Sequence, residues 1–592
     1  MKKLNQYLLE SRRCIDEFNQ IELLTDLKWD EIENVWYFSI KICQASGEKS
    51  VFFNSVWYVT AEDAFPAGKI KIFPAVKGGI TDTFYHQSNN GIISANGLWR
   101  KGDVCLKDPL EHMSDINREP LNAADRIYWN IDRLLKWINK AEKNLLVTNK
   151  DRFELPCVRE INSIDIVFNE DEISYMQWEE IDAKLGIVKL IFGGNNQYFV
   201  KSFWDLDDNI CLENLWGGYV EGQQGEAITG IWILLDKIPV INVWQAPNTI
   251  LELKNILEEN GISWENDIVR LFDKIRDGKK HPFLIGFPIP EMFYGENKNY
   301  HWWSWILPKL SCGNKVYNGF RPGEKGWRLR DSLFIFKEDR EIDWSQSQNW
   351  NQKQILNRGM FDRKISEKKY AIIGAGAIGS VIAELLVRSG VYKLLIMDGD
   401  ILSIGNLSRH TLTIKDTNHS KASRLKVRLE SVNSHVRVEA LNEYLSYDNL
   451  DTLKAYDIVI DCTAKDGVID ILSEIKIEKT IASVSVGFNA ELLYFVYYKG
   501  NEFNRTVFSS KILELIQKDK QKMNIEQLPW EGIGCWNPVF PAFGYDMYMA
   551  ASIAVEILTK LICNDSKRVY TCAFGKKYGM DGLFAGYERI CE

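Results

Sequence analysis

The stretch Tyr370–Asp400, YAIIGAGAIGSVIAELLVRSGVYKLLIMDGD, constrains the fold more than any other part of the chain. An apolar run reads as a buried strand, a glycine turn follows, a helix is closed by Gly390, and a second buried strand ends at Asp398. Gly374, Gly376 and Gly379 form G-x-G-x-x-G between the first strand and the helix. The first glycine permits the tight turn, the second lets a phosphate approach the backbone, and the third brings helix and sheet together. A phosphate would meet free N–H groups and the positive dipole end at the helix N-terminus. Asp398, about twenty residues on, is placed to hold ribose hydroxyls. Taken alone, the turn suits a dinucleotide dehydrogenase, an ATP enzyme, or glycines used only for packing.

The residues that follow separate these readings. DGDILSIGNLSRHTLTIKDTNHSKASRLKVRLESVN carries Asp400, Asn406, Arg409 and Lys421. Hydride transfer needs no such cations, whereas driving a carboxylate onto the α-phosphate of ATP does, because charge accumulates on phosphorus and pyrophosphate must leave. From GAGAIG through SIGNLSRH, HSKASRL and DIVIDCTAKD, the sequence resembles the adenylation domain of ubiquitin-activating enzymes and their bacterial relatives in thiamin and molybdopterin synthesis, the ThiF/MoeB group. The resemblance implies a Rossmann-like α/β domain over residues 361–592 that uses ATP and Mg2+. It implies that Gly374, Gly376, Gly379, Asp398 and Asp400 bind nucleotide, that Asn406 and Arg409 contact phosphates, and that Lys421 stabilises the transferring phosphoryl group. Two positions depart from the family. His410 replaces a glutamine, and the D-C-T-D motif reads Asp461-Cys462-Thr463-Ala464. The metal ligands are therefore unknown, with Asp466 or Asp400 as substitutes, and Asp461 also reads as a simple strand end.

Eleven cysteines in a chain with no recognisable signal peptide suit reduced thiols in a cytoplasmic protein. None shows zinc-ligand spacing, so a cysteine that matters here is a nucleophile. In EGIGCWNPVFPA, Cys535 lies between glycines that free the loop and ahead of a proline that stops a helix. Its position resembles the catalytic cysteine of bacterial activating enzymes, while Cys462 and Cys591 read as structural or incidental. Residues 1–150 open with an amphipathic helix and continue with strand-like runs, Val35–Ile42, Ser50–Thr60 and KIKIFPAV. With YHQSNNG and GDVCL these runs resemble an α+β ubiquitin-conjugating enzyme, and Cys105 falls at that family's catalytic cysteine. The family's H-P-N reads His86-Gln87-Ser88. Support of an oxyanion then falls to Asn89, Asn90 or His86, with His86 as a loop brace the alternative.

Residues 151–360 alternate strand patterns with the helix-like LELKNILEEN, an α/β or α+β middle domain with no chemical constellation. Here HWWSWILPKLSCG reads as packing and EIDWSQSQNWNQKQ as a connection. A net charge of −9 argues against a nucleic-acid binder, KDKQKM reads as a solvated helix face, and no apolar run is long enough to span a membrane. The whole arrangement resembles the bacterial activating/conjugating fusion proteins of type II CBASS anti-phage operons. That resemblance implies adenylation of the C-terminus of a cGAS-like nucleotidyltransferase, thioester capture on Cys535, transfer to Cys105 and then to an amine of a target protein or small molecule. It also implies homodimers paired through the adenylation domain. Two other readings stay open: an adenylyltransferase for a sulfur carrier or peptide without a thioester relay, and a catalytically dead ATP-binding scaffold.

Overall fold

Aromatic and β-branched residues at alternate positions build the first layer of the computed structural model, which describes residues 2, 5–43, 50–106, 118–223, 225, 227–503, 505–521, 528, 530–531, 537–538, 541–564 and 568–591. Strands β1 (Ile21–Asp30), β2 (Val35–Ile42), β3 (Val56–Glu62) and β4 (Ile70–Pro74) pair in sequence order as an antiparallel meander. Trp36, Phe38 and Ile40 of β2 and Trp57 and Val59 of β3 are buried. The helix Ala123–Glu142 covers them with Ile127, Ile131, Leu134 and Ile138, a spacing that keeps these side chains on one face. Asn122 caps that helix by accepting the Asp125 N–H at 2.9 Å. The expected strand at Val35–Ile42 is present, whereas the run Ser50–Thr60 becomes a turn followed by β3.

The remainder of this compact unit, which comprises Met1–Asn214 and Glu226–Asn349, is a closed sheet. Its strands are β5 (Glu160–Phe168), β6 (Leu185–Gly194), β7 (Gln197–Trp204), β8 (Ile210–Glu213), β9 (Ile228–Leu234), β10 (Pro282–Pro290), β11 (Asn297–Ile306) and β12 (Trp344–Asn349). They run in the order β5-β12-β11-β10-β9-β6-β7-β8, and β5 pairs again with β7 to complete the ring. Trp302, Trp303 and Trp305 are buried, as the packing reading of HWWSW expects. The polar stretch expected to be a connection is instead β12, which bridges β11 and β5. Its polarity misled because Ser347 finds a polar partner across the ladder, Ser304 Oγ at 2.6 Å, while Trp344 supplies the buried contact.

The second unit comprises Leu215–Gly225 and Trp350–Glu592. Strands β13 (Tyr370–Ile373), β14 (Lys393–Met397), β15 (Arg437–Leu441), β16 (Ile458–Asp461) and β17 (Lys479–Val486) are parallel in the order β15-β14-β13-β16-β17. β18 (Leu492–Gly500) extends the sheet antiparallel; β19 (Trp530–Glu531) and β20 (Asn537–Pro538) form a separate small ladder, and β21 (Val569–Tyr578) and β22 (Phe584–Cys591) complete the main sheet. This is the Rossmann-like α/β arrangement expected, with the strand order reversing between β13 and β16. Leu215–Gly225 joins this unit because Gly217 and Gly218 donate to the Ser434 and Val436 carbonyls at 2.6 and 2.8 Å. A side chain at Gly217 would sit 2.4 Å from the Val436 carbonyl oxygen. No helix among the described residues is long and apolar enough to cross a membrane.

Candidate functional site

Where the strand order reverses, the C-terminal ends of β13, β14 and β16 frame a cleft of about 410 Å³. Each glycine of the turn has a separate physical reason. Gly374 has φ +89°, a conformation that favours glycine. A Cβ at Gly379 would lie 1.9 Å from the Gly374 carbonyl oxygen, so the helix can approach the strand only without one. A Cβ at Gly376 would meet no protein atom within 4 Å, and Gly376 lines the cleft as the N-cap of the helix Ala377–Arg388. The open space in front of a helix N-terminus is what a phosphate requires.

The carboxylates and the lysine form one network. Asp398 accepts the backbone N–H groups of Ala375 and Asp400 at 2.6 and 2.7 Å, which ties the glycine loop to the end of β14. Burial pushes its carboxyl up, against those two bonds. Lys421 Nζ donates to Asp400 Oδ2 at 2.9 Å, and the Tyr444 hydroxyl donates to Asp400 Oδ1. Burial alone would raise Asp400, but Tyr444 and Lys421 outweigh it and hold the carboxyl below its ordinary value. Met397, Leu445, Val468 and Ile471 supply apolar wall, and Lys465 adds a second cation at the rim. Asn406 and Arg409 sit on the turn Ile404–Ser408 and at its end and do not line the cleft; Asn406 Oδ1 accepts the Ser403 N–H at 3.2 Å.

The two departures from the family motif have distinct structural outcomes. His410 is buried beneath the glycine loop, where its Nδ1 accepts the Leu412 N–H at 3.1 Å. Nε2 therefore carries the proton and donates to the Ala375 carbonyl at 2.6 Å. Burial pushes this imidazole down to about 4. Like a glutamine amide, the neutral ring offers both a donor and an acceptor. At the second departure, Asp461 is buried and accepts from Thr463 Oγ1 at 2.6 Å and Ser483 Oγ at 2.9 Å. It ends the strand, and burial pushes both its carboxyl and the adjacent Cys462 thiol up. Ala464, in the position of the family's aspartate, has φ +55° and offers no ligand atom. Asp466 is exposed at the start of the helix Asp466–Leu472. Among the described residues no group of three or more His, Cys, Asp or Glu forms a metal cage. The residues present nevertheless fit Mg2+ carried with a nucleotide, which is ordinarily held by one or two carboxylates plus phosphate oxygens, and Asp400 is the carboxylate in the right wall.

A second cleft, of about 540 Å³, surrounds Cys105. The thiol is exposed, and the Cys105 N–H donates to the His86 carbonyl at 2.8 Å. His86 has φ +56°, and its Nδ1 lies 2.8 Å from Glu154 Oε2. Glu154 raises the imidazole above its ordinary value, against burial, with Asp151 and the Leu146 carbonyl acting the same way. The asparagines offered for an oxyanion are committed elsewhere. Asn89 exchanges hydrogen bonds with Asn248 at 2.8 and 3.1 Å, and Asn90 donates to the Ile80 and Asp82 carbonyls. The bracing alternative for His86 is the one that its contacts favour. Cys535 lies outside the described residues; β19 and β20 flank it.

Sequence reasoning missed Asp103, Glu154, Tyr444 and Lys465. Burial pushes Asp103 up to about 6, with Lys71 Nζ at 3.6 Å pulling the other way, and Asp103 lines the Cys105 cleft. Its adjacency to Val104-Cys105 was the available signal. Nothing in the local sequence marks Glu154, which reaches the cleft only through tertiary packing.

The Cap2 central linker domain family matches residues 144–350, and the ThiF family matches residues 350–578. The ATP-dependent ubiquitin transferase-like protein Cap2 of Enterobacter hormaechei is 30% identical over 523 residues, 86% of each chain. The sulfur carrier protein ThiS adenylyltransferase of Bacillus subtilis is 42% identical over 77 residues, 12% of this chain and 23% of that one. The molybdopterin-synthase adenylyltransferase of Haemophilus influenzae is 32% identical over 99 residues, 16% of this chain and 41% of its own. Two family matches that meet at residue 350, and a relative aligned over most of both chains, lead to one assignment: the chain belongs to the Cap2 family of ATP-dependent ubiquitin transferase-like proteins, with a ThiF-type adenylation domain.

Proposed function

We propose that this chain joins a protein C-terminus to an amine through two successive thioesters, with residues 1–150 conjugating, 151–360 linking and 361–592 activating. The observation that carries the reading is the coexistence in one chain of a glycine-cradled cleft holding Lys421 and Asp400 and a second cleft that exposes Cys105. When bound, Mg-ATP supplies an electrophilic α-phosphorus and a pyrophosphate leaving group. Gly376 and the helix behind it receive phosphate, Asp398 and Asp400 hold the ribose side and the metal, Asn406 and Arg409 donate to phosphate oxygens, and Lys421 offsets the charge that builds on phosphorus. The substrate carboxylate attacks that phosphorus as pyrophosphate leaves, and Cys535 thiolate then attacks the carbonyl of the resulting acyl adenylate, releasing AMP. Cys105 thiolate displaces Cys535, an exchange between two thioesters that is nearly isoenergetic and governed by proximity. An amine displaces Cys105, and its proton passes to a base near that thiol.

The substrate carboxylate in this reading is the C-terminus of a cGAS-like nucleotidyltransferase in a CBASS operon, the setting is the cytoplasm, and the acceptor is a protein or small-molecule amine. Exposed Ile401, Ile404, Ile414, Phe543 and Tyr545 support homodimers paired through the adenylation domain. Ala464 favours a second reading, a scaffold that binds ATP without chemistry. The test is intact mass and a non-reducing gel of the protein with Mg-ATP and the product of the neighbouring nucleotidyltransferase gene. A thiol-sensitive adduct absent from Cys535→Ala and stalled on Cys535 in Cys105→Ala supports the relay. AMP without an adduct leaves an adenylyltransferase, and an absence of pyrophosphate release leaves the scaffold.

A further inference from the structure

The loop Thr83–Asn90 divides its side chains between two domains. Phe84, Gln87 and Asn90 turn to their own domain, where Gln87 donates to the Gly102 carbonyl at 3.1 Å and Phe84 meets Trp137 edge-on. Thr83, Tyr85, His86 and Asn89 turn to the middle segment. Thr83 Oγ1 donates to Gln245 at 3.0 Å, Tyr85 packs on Trp244 with ring centres 4.5 Å apart, and Asn89 exchanges two amide bonds with Asn248. Asn89 also donates to the Cys157 carbonyl at 3.2 Å.

His86 is the point where this hold reaches the reactive cysteine. At φ +56° the His86 backbone is in the left-handed region, uncommon for a non-glycine residue, and contacts of its side chain help to hold it there. The Glu154 carboxylate at 2.8 Å does so from the middle segment, and the carbonyl of the same His86 accepts the Cys105 N–H. Glu154 itself lines the cleft that exposes Cys105.

We propose that Glu154, backed by the Asn89–Asn248 pair, is a positioning residue of the Cys105 site, so that the middle domain forms part of the conjugating centre. The proposal rests on the relay reading above. Because Glu154 favours the protonated imidazole, the clamp is complete below the ordinary histidine range and weakens as pH rises through the raised value. The groups facing His86 are Glu154, Asp151 and the Leu146 carbonyl, with Cys105 and Asp103 lining the same cleft.

The test uses the full chain in two arms. In the first, hydrogen exchange of the peptides holding residues 84–90 and Cys105 is followed across pH for wild type, Glu154→Gln, Glu154→Asp and Asn248→Ala. Glu154→Gln should lower protection about tenfold, the value of one charge-assisted bond, and should lose it at lower pH than wild type. Glu154→Asp should restore part of it, and peptides of β2 and β3 should not change. In the second arm, the Cys105 adduct formed with Mg-ATP and the nucleotidyltransferase is chased with free lysine, with AMP formation as the internal control. Discharge should slow about tenfold in Glu154→Gln. Unchanged protection, or loosened protection with unchanged discharge, overturns the positioning role. If wild type forms no Cys105 adduct, the relay and the discharge role fall together, while the exchange arm still judges whether Glu154 holds the cysteine.

Discussion

Alanine at Gly376 and alanine at Gly379 should fail in opposite ways. Gly376 has φ −77° and ψ −159°, which alanine adopts freely, and an added methyl would meet no protein atom. Losing glycine at an N-cap costs a few tenths to about 1 kcal/mol, and the less flexible unfolded chain returns about 0.4–1 kcal/mol, so stability should stay within about 1 kcal/mol of wild type. The methyl occupies the space through which phosphate reaches the helix N–H groups. One or two charged hydrogen bonds lost there amount to about 2–5 kcal/mol, roughly 30- to 4,000-fold in nucleotide affinity. At Gly379 the methyl would lie 1.9 Å from the Gly374 oxygen and 3.2 Å from Cys462 Cβ, so helix and strand must part. Overpacking of that kind costs about 1–3 kcal/mol. The assays are substrate-dependent ATP–pyrophosphate exchange and hydrogen exchange of Tyr370–Ile373, which reports this domain alone in a chain of several units. Exchange activity of Gly376→Ala within threefold of wild type, or loss of β13 protection equal to that of Gly379→Ala, would refute the cradle argument.

Lys421→Ala should cut pyrophosphate exchange by about 10²–10³ while ATP still binds, because the charge it offsets develops in the transition state; equal losses in binding and rate would contradict this. His410 is buried neutral, its folded value of about 4 below the ordinary 6.5, so unfolded chains bind more protons between these limits. Stability of this domain should therefore be complete above pH 6.5 and fall as pH drops toward 4, by about 3 kcal/mol in all. His410→Gln should keep the fold and flatten that slope, and His410→Ala should destabilise at every pH; urea midpoints across pH check both. Cys462→Ser should leave adenylation and any adduct unchanged, and an adduct lost in that variant would make this half-buried thiol, which lines the nucleotide cleft, a participant.

The glycine turn, its flanking strands and the apolar periodicity of the helix lie within thirty or so consecutive residues, and local sterics decide them. Legible for that reason were the α/β domain, the turn of Gly374, Gly376 and Gly379, and the position of the Asp398–Asp400 pair; Lys421, beyond that stretch, was singled out by the family resemblance and joins the pair in the cleft. Cys105 was singled out by the resemblance to a conjugating enzyme, and the structure places it exposed in a cleft. The meander strand β1 and the helix Ala123–Glu142 escaped notice, and β12 read as a linker because it is polar, with Ser347 bonded to Ser304 across the sheet. Long-range packing decided the rest. It turned His410 into a neutral brace, spent Asn89 on Asn248 and Asp461 on Ser483, and brought Glu154 to His86, 68 positions earlier in the chain. A sequence specifies which side chains can bond, but a polar group's role depends on which partner reaches it after burial removes water, and for these residues that partner is remote in the chain.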